Sequence, residues 1–178
     1  MMKRRPLLAQ HRLTEREEKS FQILELLRAR GPLTRTELSQ GTGFNIVTVS
    51  NYINQFIKQL LVSERGFDVS TGGRKPILVE LNASAGFAIG VDIGPTGVPT
   101  AQVVLVITDL RGQIVHRMVK RREQENLDRL LQSLGGWLRE LLKTSPVDTK
   151  RIFGISVGLP GIMDERAGTV RETARHGV

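Results

Sequence analysis

The chain has 178 residues, with 26 Lys and Arg against 18 Asp and Glu, so its formal net charge is +8 at neutral pH. It contains no cysteine, which excludes a disulfide framework, a thiolate zinc site and a cysteine nucleophile. No apolar run approaches the roughly 20 residues of a membrane-spanning helix, and the polar, basic start has no signal-peptide pattern. We therefore expect a cytoplasmic protein, and the basic surplus favours a polyanionic partner without deciding the matter.

Length and charge distribution both favour two small domains, which we place at residues 1–82 and 83–178. The first holds 13 Lys and Arg against 8 Asp and Glu, and the second holds 13 against 10. The basic surplus therefore leans towards the first domain.

The first predicted helix lies between Glu15 and Arg30, with Thr14 as N-cap and Glu17 placed to complete a capping box. Gly31 and Pro32 end it. Apolar residues recur along it at helical spacing, which predicts a face that packs on a core; they are Phe21, Ile23, Leu24, Leu26 and Leu27.

A helix, a glycine turn and a second helix follow, in the order that is typical of helix-turn-helix proteins. Thr34 caps the shorter helix with Glu37 as its reciprocal partner, and the turn is at residues 41–43. The longer helix is predicted from about Asn45 to about Leu60. At 3.6 residues per turn its apolar stripe consists of Val49, Ile53, Phe56 and Leu60.

The opposite side of this longer helix carries polar side chains that suit the major groove of DNA. Apart from Val47, they are Asn51, Asn54, Gln55 and Lys58. Asn and Gln amides can pair bidentately with adenine, and Thr or Ser hydroxyls can contact bases or phosphates. A solvated polar face is the ordinary alternative, but the turn before the helix and the hairpin after it favour groove binding.

The hairpin is predicted from strands at residues 61–64 and 77–81, joined by a glycine-rich connection at residues 65–76. Arg65, Arg74 and Lys75 lie in this connection. Glycine backbone can approach phosphates closely while the cations neutralise them, so we expect a wing that adds salt-dependent affinity. A flexible hairpin without a partner is the alternative.

The second domain begins with an apolar strand that ends in the pattern Asp92-x-Gly94-x-Thr96. We expect a buried strand whose terminal turn brings amides and a hydroxyl to a phosphate, with the carboxylate available to a metal. The pattern is short, and a plain strand and turn is the alternative.

Further along, a hairpin over residues 101–120 precedes a helix from about Asn126 to Leu142 and a second buried strand over residues 152–157. The inward positions predicted for the helix are Leu127, Leu130, Leu131, Leu134, Leu138 and Leu141. The second strand leads into a loop from Gly158 to Asp164, at the end of a strand where α/β sheets place ligands.

Three motifs in this order resemble the ROK family of repressors, open reading frames and kinases. They are the wing end Gly72-Gly73-Arg74-Lys75-Pro76, then Gly90-Val91-Asp92-Ile93-Gly94-Pro95-Thr96, then the segment from Gly154 to Asp164 that contains Gly158-Leu159-Pro160-Gly161. The resemblance implies an α/β multi-domain protein: a winged helix-turn-helix followed by part of a ribonuclease-H-like lobe of the actin and hexokinase type.

The same resemblance implies a bacterial transcriptional regulator in the cytoplasm, at the nucleoid. Its partners would be operator DNA, a second copy of the chain, and an effector that is a sugar, a sugar derivative or a partner protein. Operator contacts would fall on Thr48, Ser50 and Asn51, and on the wing at Arg74 and Lys75. The phosphate loop maps to Asp92, Gly94 and Thr96, and the sugar-side loop to Gly158, Pro160 and Gly161.

The chain also departs from the family pattern. Family regulators are about twice as long, and their further part would hold the catalytic Asp and the zinc motif, so we expect no catalytic residue, cofactor or metal in this chain. A truncated form of a longer regulator and a naturally short protein both stay open. Pro95 removes an amide donor from the phosphate loop. Asn51 stands where relatives often carry Arg, so their operator sequence does not transfer.

Three functions therefore stay open at this point. The leading one is a sequence-specific DNA-binding regulator, most simply a repressor of carbohydrate-related genes. The second is a sugar-binding or sugar-kinase-like protein, and the third is a DNA-binding module whose second part serves only for self-association.

Overall fold

A computed structural model describes residues 13–67, 77–94, 101–122, 127–164 and 169–171. The chain divides into two compact units. The front unit comprises Leu13–Phe87 together with the turn Asp109–Gln113, and the back unit comprises Ala88–Thr108 and the described residues from Ile114 onward. The assignment of residues 1–82 and 83–178 to a DNA-binding domain and a sugar-kinase-like lobe stays a prediction.

The front unit contains three helices and a small antiparallel sheet. In chain order its elements are α1 (Glu15–Arg30), β1 (Leu33–Thr34), α2 (Arg35–Thr42), α3 (Ile46–Lys58), β2 (Val62–Phe67) and β3 (Ile77–Leu81). β3 lies between β1 and β2 and is antiparallel to both. Both predicted capping boxes are present, at Thr14 with Glu17 and at Thr34 with Glu37, and they satisfy amides that the first turns of α1 and α2 leave unpaired.

One apolar cluster holds the front unit together. It brings together all three helices and the sheet, through Ile23, Leu27, Leu38, Val49, Ile53, Phe56, Val62, Val79 and Leu81. Two residues predicted for apolar faces lie outside it. Phe21 is 60% exposed on α1, and Leu60 is 69% exposed because α3 ends at Lys58 and the chain turns away before Leu60.

The back unit is built around a four-stranded sheet with the order β6-β5-β4-β7. Its elements are β4 (Phe87–Ile93), β5 (Gln102–Asp109), β6 (Ile114–Arg121), α4 (Leu127–Thr144), β7 (Ile152–Gly158) and the paired strands β8 (Ile162–Asp164) and β9 (Thr169–Arg171). Alternate residues of β4 and β5 and the inward side of α4 are buried; among them are Ile89, Val91, Val103, Leu105, Ile107, Leu130, Leu134 and Leu141.

Three details of the back unit differ from the sequence predictions. β4 is buried on one face only, since Ala88 and Asp92 are exposed between its buried residues. Leu131 is 55% exposed on the outer side of α4. β7, predicted as a buried strand, lies at the end of the described sheet order, and its residues from Phe153 onward are exposed.

α4 is the longest helix that the structure describes, at 18 residues. Neither α4 nor any other helix within the described ranges is long and apolar enough to cross a membrane.

Replacing Phe56 by Ala is expected to lower the free energy of unfolding of the front unit by about 3 to 5 kcal/mol, because a large buried ring leaves a cavity. Phe56 is 3% exposed. The matched control is Phe21→Ala, which removes the same atoms from an exposed helix face and is expected to cost less than about 0.5 kcal/mol. Urea unfolding followed by circular dichroism measures both, and equal losses would contradict the burial described.

Candidate nucleic-acid interface

α3 presents a polar side because its opposite side is fixed in the core. Val49, Ile53 and Phe56 are buried, and the helix begins at an N-cap Asn45 whose Oδ1 accepts a hydrogen bond from the Thr48 amide at 2.8 Å. At 3.6 residues per turn the side facing away from these contacts is the one centred on residues 47, 51, 54 and 58. The rotation of α3 about its own axis is therefore set by burial.

The turn between α2 and α3 is fixed by backbone geometry and two side-chain bonds. Gly43 has φ of 74°, a left-handed conformation that glycine adopts without a Cβ penalty, and its amide donates to the Ser39 carbonyl. Ser39 Oγ donates to the carbonyl of Phe44 at 2.6 Å, and the Phe44 amide donates to Thr42 Oγ1. This turn fixes the angle at which α3 leaves α2.

Lys19 links α1 to the same turn, since its ammonium lies 5.9 Å from the centroid of the Phe44 ring. Its hydrogen bond to Glu15 raises the pKa of Lys19 and lowers the pKa of the Glu15 carboxyl. Both shifts favour the charged forms of this exposed pair.

The structure places the predicted DNA-contacting residues of α3 in two groups. Asn51, Asn54 and Lys58 are exposed on its outer side, next to Val47, which is 65% exposed. Thr48, Ser50 and Gln55 are half-buried along its borders. Arg74 and Lys75, the predicted wing contacts, lie outside the described residues.

Two of the three amides on α3 are bound by arginines from the other helices. Arg35 Nη2 donates to Asn54 Oδ1 at 3.4 Å and also to Glu64 Oε1 at 3.1 Å. Arg16 Nη2 donates to Gln55 Oε1 at 3.0 Å. Sequence reasoning missed both arginines, because they lie 19 and 39 residues from their partners and no spacing rule connects them.

The strands behind α3 carry a second charged cluster. Glu80 on β3 accepts from Arg65 on β2 at 3.2 Å and from Arg111 at 3.3 Å, and Arg111 also donates to the Leu81 carbonyl. Arg111 belongs to the Asp109–Gln113 turn of the front unit. The base of the hairpin is therefore held by ion pairs as well as by strand pairing.

The C-terminus of α3 is closed by a Schellman-type arrangement. The amide of Leu61 donates to the Phe56 carbonyl at 2.9 Å, and that of Leu60 donates to the Ile57 carbonyl at 3.0 Å. Leu60 has φ of 61°, a conformation that normally selects glycine. Asn82 Nδ2 bonds the Leu60 carbonyl at 2.9 Å, so this strained link ties α3 to the residue that follows β3.

Residues of the predicted phosphate and sugar-side loops meet in the back unit. Asp92 is exposed on β4, and a Cβ placed on Gly158, at the end of β7, would lie 3.4 Å from Asp92 Oδ1. The Gly94 amide donates to the Gln102 carbonyl at 2.9 Å, and its own carbonyl accepts from Arg122. Pro160 and Gly161 follow β7, whereas Thr96 lies outside the described residues.

Within the described part of the chain, no group of three or more His, Asp or Glu side chains could hold a metal ion. Asp92 contributes one exposed carboxylate here, next to the backbone of Gly158.

Comparison with known proteins finds relatives that are named as repressors or transcriptional regulators. The sequence is 35% identical over 149 residues to a protein named as a candidate xylose repressor in Caldicellulosiruptor sp. (strain Rt8B.4), covering 83% of this chain and 36% of that protein. It is 31% identical over 139 residues to the xylose repressor of Caldicellulosiruptor bescii, covering 78% and 34%. With the Escherichia coli K12 transcriptional dual regulator NagC the identity is 23%, over 85% of this chain and 36% of that protein. No protein-family model matches the sequence.

A solved structure described as a ROK family transcriptional regulator, a homologue of the E. coli MLC protein, has a TM-score of 0.58 and 16% identity over 81% of this chain and 35% of that one. The fold is thus the mixed α/β fold of a ROK regulator. Together with the repressor relatives, it confirms the resemblance found in the motifs: the chain belongs to the ROK family of transcriptional regulators. It spans about a third of the length of the relatives it matches.

Replacing Leu60 by Gly is expected to make the front unit more stable, by about 1 kcal/mol, than replacing it by Ala. Both changes remove the same exposed side chain, but only glycine adopts a φ of 61° without strain. Urea unfolding of the two variants measures the difference. An Ala variant as stable as the Gly variant would mean that Leu60 is not held in this conformation.

Proposed function

We propose that the protein is a bacterial DNA-binding transcriptional regulator, a repressor of carbohydrate-related genes rather than an enzyme. The observation that carries this proposal is the outer side of α3, which is polar apart from Val47 and is exposed while both ends of the helix are fixed. Relatives named as repressors of xylose and N-acetylglucosamine systems support the regulatory role and the carbohydrate class.

In this proposal the front unit acts as a winged helix-turn-helix. α2 and the Gly43 turn hold α3 in the major groove, where Asn51, Asn54 and Gln55 approach base edges and Lys58 approaches a phosphate. Thr48 and Ser50 lie along the borders of α3, the position from which hydroxyls bind phosphate oxygens. The β2–β3 hairpin is the wing, with Arg74 and Lys75 as its phosphate contacts.

The back unit is proposed to be part of a ribonuclease-H-like lobe that senses a sugar or sugar derivative. The proximity of Asp92 and Gly158 supports this, because it joins the two motifs that the family resemblance assigns to ligand loops. An effector changes operator affinity only to the extent that it binds one conformation better than another.

A homodimer completes the proposal. The exposed apolar residues of β7, Phe153 at 67%, Ile155 at 55% and Val157 at 52%, form a surface that water solvates poorly and that a second copy could cover. Two-fold symmetry would match a palindromic operator. A protein that binds an operator is located with the DNA, in the bacterial cytoplasm at the nucleoid.

Selection of bound sequences from a random duplex pool, with a salt titration on the best one, tests the function. We expect a palindromic sequence and an affinity whose logarithm falls linearly with the logarithm of salt concentration. Binding without any sequence preference would contradict the proposal.

Two variants test the proposed base contact and the proposed phosphate contact separately. Asn51→Ala is expected to cost about 1 to 3 kcal/mol at the selected site and to relax one position, whereas Lys75→Ala is expected to weaken all sequences alike and reduce the salt slope by about one. Sedimentation of the chain with and without the selected duplex reports its oligomeric state.

A sugar-binding protein without a DNA role is the second candidate, and the same pair of back-unit residues favours it. We expect xylose or N-acetylglucosamine to raise the melting temperature, and Gly158→Val to abolish that shift because its side chain would occupy the space beside Asp92. Gly154→Val is the matched control, since a Cβ there meets nothing within 4 Å. If both variants keep the shift, the Asp92 and Gly158 site is not where the sugar binds.

A further inference from the structure

The three amide side chains on the outer half of α3 are not chemically equivalent. Asn54 and Gln55 each have their carbonyl oxygen bound by an arginine, whereas the Asn51 side chain makes no hydrogen bond to any of the residues that the structure describes. An amide whose oxygen is bound presents mainly its NH₂ group to a ligand.

We infer that Arg16 and Arg35 are positioning residues that fix the orientation of these amides, so that α3 presents hydrogen-bond donors at positions 54 and 55. On this inference, which rests on the proposed DNA-binding function, Asn54 favours guanine or thymine, whose major-groove edges present acceptors without the amino donor of adenine. Among the three amides, only Asn51 keeps both groups available for bidentate pairing with adenine.

The chemistry of the pair determines the orientation of Asn54. A guanidinium has only donors, so it can face the oxygen of an amide but not its NH₂ group. Turning the Asn54 amide over would bring two donors together and lose the bond to Arg35. The oxygen is therefore the group that faces Arg35, and the NH₂ group is the one left for DNA.

Arg35 is itself held in place. Its side chain is 24% exposed, and the same Nη2 atom that meets Asn54 also pairs with Glu64 on β2. Arg35 begins α2 directly after the buried cap Thr34, so its backbone is fixed by the capping box. An arginine restrained at both its backbone and its guanidinium loses little further freedom when it binds the amide.

Gln55, on a border of α3, shows the same arrangement. Arg16 on α1 binds its Oε1, and the hydroxyl of Tyr52, one turn earlier on α3, donates to the Arg16 carbonyl at 3.4 Å. Arg16 and Arg35 come from different helices, and each of them binds the side-chain oxygen of one of two neighbouring amides.

Base edges in the major groove differ in how they pair with an amide whose oxygen is bound and with one whose oxygen is free. Adenine offers one donor and one acceptor and needs both groups of an amide, whereas guanine offers two acceptors at N7 and O6, and thymine offers O4. With its oxygen turned towards Arg35, Asn54 can still donate to adenine N7, but that oxygen is not directed at the adenine N6 amino group. Guanine and thymine present no such amino group at this edge, so we expect Asn54 to favour them over adenine at the base pair that it contacts.

The test repeats the selection with the full chain and with three variants, Asn54→Ala, Asn54→Asp and Arg35→Met. The operator position that loses its base preference in Asn54→Ala is the one that Asn54 contacts, and the other variants are compared there. The wild-type chain is expected to prefer guanine or thymine there. Asn54→Asp keeps an oxygen for Arg35 but replaces the donor by an acceptor, so the preference is expected to move to cytosine by roughly tenfold or more. Arg35→Met frees the amide and is expected to admit adenine.

Arg28→Met is the matched control, because Arg28 pairs with Glu25 within α1 and is expected to leave every preference unchanged. Melting curves of each variant separate a loss of folding from a change in preference. An Arg35 with a purely structural role would lower the affinity in Arg35→Met without changing the preferred base.

Each outcome is decisive. No enriched sequence with the wild-type chain would overturn the proposed function and this inference with it. An enriched operator that has adenine at the Asn54 position, that does not respond to Asn54→Ala, or that keeps its preference in Arg35→Met, would overturn the inference alone.

Discussion

The packing of the apolar side of α3 into the front unit is the constraint on which the rest of this structure depends. Ile53 and Val49 are fully buried and Phe56 nearly so, in a cluster shared with α1, α2 and the sheet. Because this contact sets the rotation of α3, it also decides which polar residues reach solvent. The Gly43 turn and the bonds around Leu60 then fix the two ends of the helix.

Charge in the front unit acts mainly by orienting groups. Arg35 and Glu64, Arg65 and Glu80, and Arg111 and Glu80 are partly exposed pairs, each worth little to stability by itself. Their geometric effect is larger, since they hold one side of the α3 surface and the base of the hairpin. The net basic charge adds a field that favours a polyanion, whereas these pairs determine which donors and acceptors the polyanion meets.

The back unit combines a buried face with an exposed strand. Alternate residues of β4 and β5 and one side of α4 are buried, but β7 at the end of the described sheet stays exposed, so an apolar sequence pattern did not mean a buried strand there. Asp92 and Gly158 are 66 residues apart in the chain and are neighbours in the structure. Their proximity follows from the sheet order, which places β7 beside β4.

The sequence by itself determined the elements whose causes are local. The capping boxes at Thr14 and Thr34, the Gly43 turn, the stripe of Val49, Ile53 and Phe56, and the family motifs all depend on residues a few positions apart, and each was predicted from spacing. Only the tertiary structure decided the exposure of Phe21, Leu60 and β7, and the binding of Asn54 and Gln55 by Arg35 and Arg16. These features depend on which surfaces meet across distant parts of the chain, and periodicity within one element carries no information about its neighbours.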